Sequence, residues 1–239
     1  MKHQFDAFID DLRAAHGTNL AAVILYGSAA VGDFVRQHSD YNLLIALNRI
    51  TPKDLRAAQA PMREWGKLGH PVPVYFTVAE LAEAADVFPI EFHQIEQARK
   101  VLFGVDVLTN LKISDQYLRH QTEYELRSKL IGLRRRYIGA SASAESLMSL
   151  MVSSLTSFTV LFRAVLLLHG FNSPVTKNEI VAETARQLKI DSKPFEKISD
   201  IRENTSSNKL DETSANELFT DYLREIENII EAVDKLEKS

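Results

Sequence analysis

Two short stretches of the chain carry residue types suited to holding phosphate. Leu25, Tyr26, Gly27 and Ser28 close an apolar run in a glycine–serine corner, and Ser39, Asp40, Tyr41 and Asn42 lead into a second apolar run, Leu43 to Leu47. Backbone N–H groups at a glycine corner can cradle phosphate oxygens, above all where a helix begins. Gly27 lacks a Cβ, so a ligand can approach the chain closely there. Ser28 adds a hydroxyl donor. In a strand, positions 40 and 42 project to the same face. Asp40 would then present an anionic oxygen and Asn42 a neutral carbonyl oxygen beside it.

Glycine–serine, then serine–aspartate, then an aliphatic strand resembles the signature of the nucleotidyltransferase superfamily, the polymerase-beta-like fold shared with aminoglycoside nucleotidyltransferases. Residues 25–45 carry the resemblance; beyond them it lies in the order of elements. It implies transfer of a nucleoside monophosphate from a triphosphate to an acceptor hydroxyl, chemistry that rests on positioning and charge neutralisation. On this resemblance Gly27 and Ser28 hold the triphosphate, and Ser39 is the small residue before the first acid. Asp40 and Asn42 occupy the two catalytic, metal-holding positions, where the family places two acids on two magnesium ions.

The departures from the family pattern fall on those acids. Asn42 brings no charge. The family's third acid, on a later strand, activates the acceptor, yet Val72 to Thr77 contains none. Glu80 and Glu91 are the nearest substitutes. Ala30 and Val31 stand where many relatives have an arginine before the glycine at 32, and Asp33 most simply flanks the next helix. The expected function is therefore a nucleotidyltransferase-like protein that binds a nucleoside triphosphate, with weak magnesium binding and weak or lost transfer to an unknown acceptor. Whether it is an enzyme stays open. Two alternatives stand beside this reading: a non-catalytic interaction partner or scaffold, as in a toxin–antitoxin-like pair, and an RNA-cleaving helical module of the HEPN kind using Arg163 and His169.

Bulk composition narrows the classes. The 239 residues allow one large domain or two small ones. A formal net charge of -4 argues against a surface built for nonspecific DNA binding. The absence of cysteine excludes disulfides and thiolate zinc sites and fits a reducing, cytoplasmic setting. The N-terminus, with Asp6 early, does not read as a signal peptide. The apolar run around Phe158 to Leu168 contains Arg163 and follows three serines, so it reads as a buried bundle helix, too short and polar to span a membrane.

The patterning predicts an α+β domain with a small mixed sheet over residues 1–110 and an all-helical bundle over 111–239. Phe5, Phe8, Ile9 and Leu12 mark an opening amphipathic helix. Leu20 to Tyr26 and Asn42 to Leu47 read as strands covered on both faces. Thr51 and Pro52 open a helix towards Leu68. Val72 to Thr77 reads as a third strand, placed at an edge by Pro73. Residues 78–99 read as helix, broken at Pro89, and Val101 to Phe103 as a last short strand. Helices follow over 114–139, 143–169, 176–189, 194–203 and 214–237. Capping boxes are expected at Thr176 with Glu179 and at Ser214 with Glu217. Residues 204–213 read as a polar connection. Phe219, Tyr222, Ile226, Ile229, Val233 and Leu236 form a narrow seam that packs in the bundle or pairs with a second subunit. Arg127, Lys129 and Arg134 to Arg136 read as a solvated face, or as a clamp for phosphate. His93 has no partner at a recognised metal spacing, and Trp65 and Phe88 read as core or interface residues.

Overall fold

The structure, a computed structural model, describes residues 2–27, 29–30, 41–113, 115–172, 174, 176–203 and 210–236. The chain divides into two compact units, Met1–Tyr117 and Leu118–Ser239. In the first, helix α1 (Lys2–His16) and a 3-10 turn (Gly17–Asn19) lead into β1 (Leu20–Tyr26). There follow β2 (Asn42–Leu47), α2 (Pro52–Ala57), α3 (Gln59–Lys67), β3 (Val74–Thr77), α4 (Val78–Ala84), α5 (Pro89–Gln97) and β4 (Arg99–Gly104). The four strands form one mixed sheet in the order β3-β2-β1-β4. Strand β1 runs antiparallel to both neighbours, and β3 lies parallel to β2 at the edge.

Alternation along the central strands explains their continuous apolar character, because both faces are covered. Val23, Leu25, Leu43, Ile45 and Leu47 pack with Phe8 and Leu12 of α1 and Trp65 of α3. Ala22, Ile24, Leu44 and Ala46 point the other way, to Leu81 of α4 and Phe92 and Ile95 of α5. Each fully buried aliphatic side chain contributes roughly 1.5–3 kcal/mol. Trp65 is the chain's single tryptophan. Its ring stacks on Phe8 at 4.4 Å, and its Nε1 donates to the carbonyl of Pro71 at 3.0 Å.

Local rules set most element ends. Thr51 caps α2 in a reciprocal box with Asp54, but the expected single helix to Leu68 divides at Ala58. Strand β3 starts at Val74, after Pro73, which has no N–H to give the ladder. Residues 85–88 separate α4 from α5, and Pro89 opens the latter. Strand β4 is longer than expected: it takes Arg99 from the predicted helix and adds Lys100 and Gly104 at its ends.

In the second unit a 3-10 turn (Asp115–Tyr117) precedes α6 (Leu118–Ala140), α7 (Ala144–Leu168), α8 (Lys177–Leu188), α9 (Lys193–Glu203) and α10 (Glu212–Lys235). Helix α7 contacts each of the other four. By length and composition it could cross a bilayer, contrary to the expectation of a run too short to do so. Its Leu147, Met151, Phe158, Phe162 and Val165 are buried within the unit. The box of Thr176 with Glu179 is present. The one expected at Ser214 with Glu217 is not. Helix α10 starts earlier, capped by Asp211, whose carboxylate accepts the Ser214 N–H at 2.7 Å. A charged cap facing the positive helix end outcompetes a serine three residues on. Buried Glu225 accepts from the Asp191 N–H at 3.4 Å and from Asn228 Nδ2 at 3.0 Å, tying α10 to the segment before α9.

His16, at the end of α1, is buried, and among the described residues neither ring nitrogen has a hydrogen-bond partner. Its ring meets Tyr75 edge-on at 6.0 Å. Desolvation holds its pKa below the ordinary value, with the Asp54 charge opposing in part. The unfolded chain therefore binds the proton at higher pH than the folded chain does. Stability of the first unit is full above the ordinary histidine pKa of about 6.5 and falls as the pH drops below it, by up to about 1.4 kcal/mol per pH unit. Denaturation followed by Trp65 fluorescence between about pH 5 and pH 8 is expected to show this slope. His16→Gln should flatten it over the same window; a variant as steep as the parent would assign the slope to other groups.

Candidate functional site

Strand register lines up three polar side chains at one end of the sheet. Tyr26 pairs with Asn42 on β2 and with Arg99 on β4. Directly opposed residues of antiparallel strands point to the same face. Asn42, Tyr26 and Arg99 therefore form a row of amide, phenol and guanidinium across three strands, on the face covered by α4 and α5. The row ends the sheet at Gly27.

Gly27 has φ of +79°, a backbone conformation that favours glycine. A Cβ placed there would lie 3.4 Å from Nδ2 of Asn42, so the Asn42 side chain sits directly against the corner. The Gly27 N–H donates to the carbonyl of Ala98 at 2.9 Å, and its carbonyl accepts from the Ala30 N–H at 2.9 Å. The Gly27 amide is thus spent on closing the β1–β4 end. What Gly27 offers a ligand is space rather than a free N–H. Ser28, Ser39 and Asp40 lie outside the described residues, as do Val31 and Asp33.

The two candidate substitutes for a third acid separate clearly. Glu80 lies beyond the C-terminal end of β3, whose Thr77 is in register with Leu47, at the opposite end of β2 from Asn42. Its Oε2 accepts the Thr77 N–H at 2.7 Å as part of the α4 capping box. Glu91, on α5, lies within electrostatic reach of Tyr26. Burial, and then the Glu91 charge, push the Tyr26 phenol above its ordinary pKa. On β3 itself, the residue in register with Leu44 is Val74, an exposed aliphatic side chain. Among the described residues no group of three histidine, aspartate or glutamate side chains could hold a metal ion.

Tyr26 lies in the motif but was given no role there, and Arg99 lies outside it, in a stretch that sequence reasoning had placed in a helix. Arg99 Nε donates to Asp106 Oδ2 at 3.0 Å, which fixes its head near the row. In the basic cluster on α6, Arg127 and Arg134 are paired within their own unit. Arg127 bridges Glu123 at 2.8 Å and Asp234 at 3.7 Å, and Arg134 bridges Glu227. His93 lies 3.8 Å from Glu96. His169 ends α7 with its Nε2 buried and without a hydrogen-bond partner among the described residues, and burial lowers the pKa of both His169 and Arg163.

No family model and no curated protein sequence matches the chain. Among solved structures, it is similar to the spectinomycin adenyltransferase AAD(9) from Enterococcus faecialis, crystallised with ATP and spectinomycin. The likeness has a TM-score of 0.59 at 12% identity and covers 96% of this chain and 99% of that one. The fold is that of a nucleotidyltransferase followed by a helical part. In this nucleotidyltransferase fold, the corner after β1 and the start of β2 are the places where the sequence resemblance put the triphosphate and its metal.

Proposed function

We propose that this chain binds a nucleoside triphosphate, with the phosphates at the Gly27–Ser28 corner facing Asp40 and Asn42, and that any transfer of nucleoside monophosphate is weak. The observation that carries this reading is the Asn42 amide lying against the glycine corner, at the end of the β1–β2 pair. The solved neighbour, an adenyltransferase holding ATP, supports a triphosphate as the ligand class. Fold likeness alone does not decide function, so the weight rests on the corner. The Asn42 amide fits a phosphate oxygen better than it fits a metal pair, because Nδ2 donates and the carbonyl oxygen carries no charge. Magnesium, where it binds, is then held chiefly by Asp40 and the phosphates. The protein's setting in this reading is the cytoplasm, and the acceptor or partner protein is of unknown class.

Asn42→Asp tests the weakened-enzyme reading. The substitution replaces a neutral oxygen with an anionic one at the position where the resemblance expects the second acid. Magnesium-dependent release of pyrophosphate, or labelling of the protein or an added acceptor, is expected to rise at least about tenfold, equivalent to roughly 1.4 kcal/mol of barrier. Unchanged turnover, with nucleotide binding intact, would favour a non-catalytic interaction protein that keeps the pocket for another purpose.

A further inference from the structure

A second recess opens at the other end of the first unit's sheet. It has a volume of about 320 Å³ and is lined by Tyr75, Phe76, Glu80, Glu83, Ala84, Val87 and Phe88. One wall comes from α4 and the turn after it: Glu80, Glu83 and Ala84 recur at i, i+3 and i+4 on one helix face, and Val87 follows in the turn. Another comes from β3, where Tyr75 and Phe76 are in register with Ile45 and Ala46. That register is three to four residues along β2 from Asn42, roughly 10–13 Å. The recess is therefore distinct from the glycine corner.

We propose that this recess binds a compact organic cation with an apolar body, of the amidinium, guanidinium or quaternary ammonium class. Phe76, on the α4 side of the sheet, and the exposed Phe88 offer ring faces that attract a cation, and Val87 and Phe88 leave apolar surface exposed to cover its body. Glu80 and Glu83 supply the negative charge. Among the described residues neither carboxylate forms an ion pair, in contrast to the acids of the helical unit. Glu80 is held in place by the capping box through Oε2, while Oε1 accepts no hydrogen bond among the described residues. A rigidly placed carboxylate beside aromatic rings favours a cation without further ordering cost. The volume suits a small molecule. The proposal does not depend on the nucleotide reading.

Benzamidine is the probe, with benzamide as its neutral counterpart, titrated into isotopically labelled full-length protein and followed by amide shifts. Benzamidine is expected to perturb residues around 75–88 and to bind at least about fivefold more tightly than benzamide. The double variant Glu80→Gln/Glu83→Gln should weaken benzamidine by about tenfold or more while leaving benzamide unchanged. Glutamine can still accept the Thr77 N–H, so the cap and the fold are kept. Equal binding of the two probes, benzamidine binding unaffected in the double variant, or no shifts in this segment at about 20 mM probe, far weaker than the roughly millimolar affinity expected of such a fragment, would each overturn the proposal.

Discussion

Gly104→Ala is expected to unfold the first unit or cost it roughly 3–5 kcal/mol. Gly104 ends β4 with φ of +78°, already unfavourable by about 1–2 kcal/mol for a residue bearing a Cβ. The steric term is larger. A Cβ there would lie 2.0 Å from the carbonyl oxygen of Ala21, 3.0 Å from its carbon and 3.1 Å from Cα of Ala22. All three are backbone atoms of the central strand, so no rotamer change relieves the overlap. Either β4 moves away from β1 and loses its ladder, or β1 moves and disturbs both cores. Net stabilities of domains are about 5–15 kcal/mol, so this loss decides whether the unit folds. Denaturation followed by Trp65 fluorescence reads the first unit directly. A midpoint within about 0.5 kcal/mol of the parent would show that the strand end relaxes freely and that this close approach is dispensable.

Tyr222→Ala should cost the helical unit about 3–5 kcal/mol. Tyr222 is fully buried on α10. Its ring meets Phe195 edge-on at 5.7 Å and Phe158 at 6.4 Å, which joins α7, α9 and α10 in one aromatic cluster. Its hydroxyl lies 3.0 Å from Ser154 Oγ, which in turn bonds the carbonyl of Met151 at 2.9 Å. The ring and the hydroxyl can be separated. Tyr222→Phe keeps the packing and Ser154 keeps its bond to Met151, so this variant should lose only about 1 kcal/mol. Thermal melts followed by far-UV circular dichroism compare the two. Similar losses in both variants would move the weight from packing to the hydroxyl. Negligible loss in the alanine variant would mean that α7 and α10 close around the cavity, which a close-packed core resists.

Those parts of the fold that depend on local chemistry were legible in the sequence. The runs Leu20 to Tyr26 and Asn42 to Leu47 are continuous because helices cover both faces of the sheet. Thr51 announces its cap through Pro52 at the first helical position, and Thr176 through Glu179 three positions on. Ser214 misled for the same reason: its pattern is local, but Asp211 offers a stronger cap. Arg99 was unreadable because its place is decided across strands. Pairing of β1 with β4 shifts between Val23 and Ile24, and only that shift sets Arg99 opposite Tyr26. Glu80 and Glu91 looked equivalent as nearby acids. Parallel pairing of β3 with β2 carries one to the far end of the sheet, whereas packing of α5 brings the other towards Tyr26. A spacing rule cannot see either displacement, since both come from tertiary register.

The phosphate corner is the central claim, and calorimetric titration of the full chain with ATP, GTP, CTP and UTP in the presence of magnesium tests it most directly. At least one nucleotide is expected to bind with measurable heat and to raise the melting temperature read by Trp65, and Gly27→Val, which would drive a branched side chain towards Asn42, should abolish both. No heat and no thermal shift with any of the four nucleotides would contradict the account.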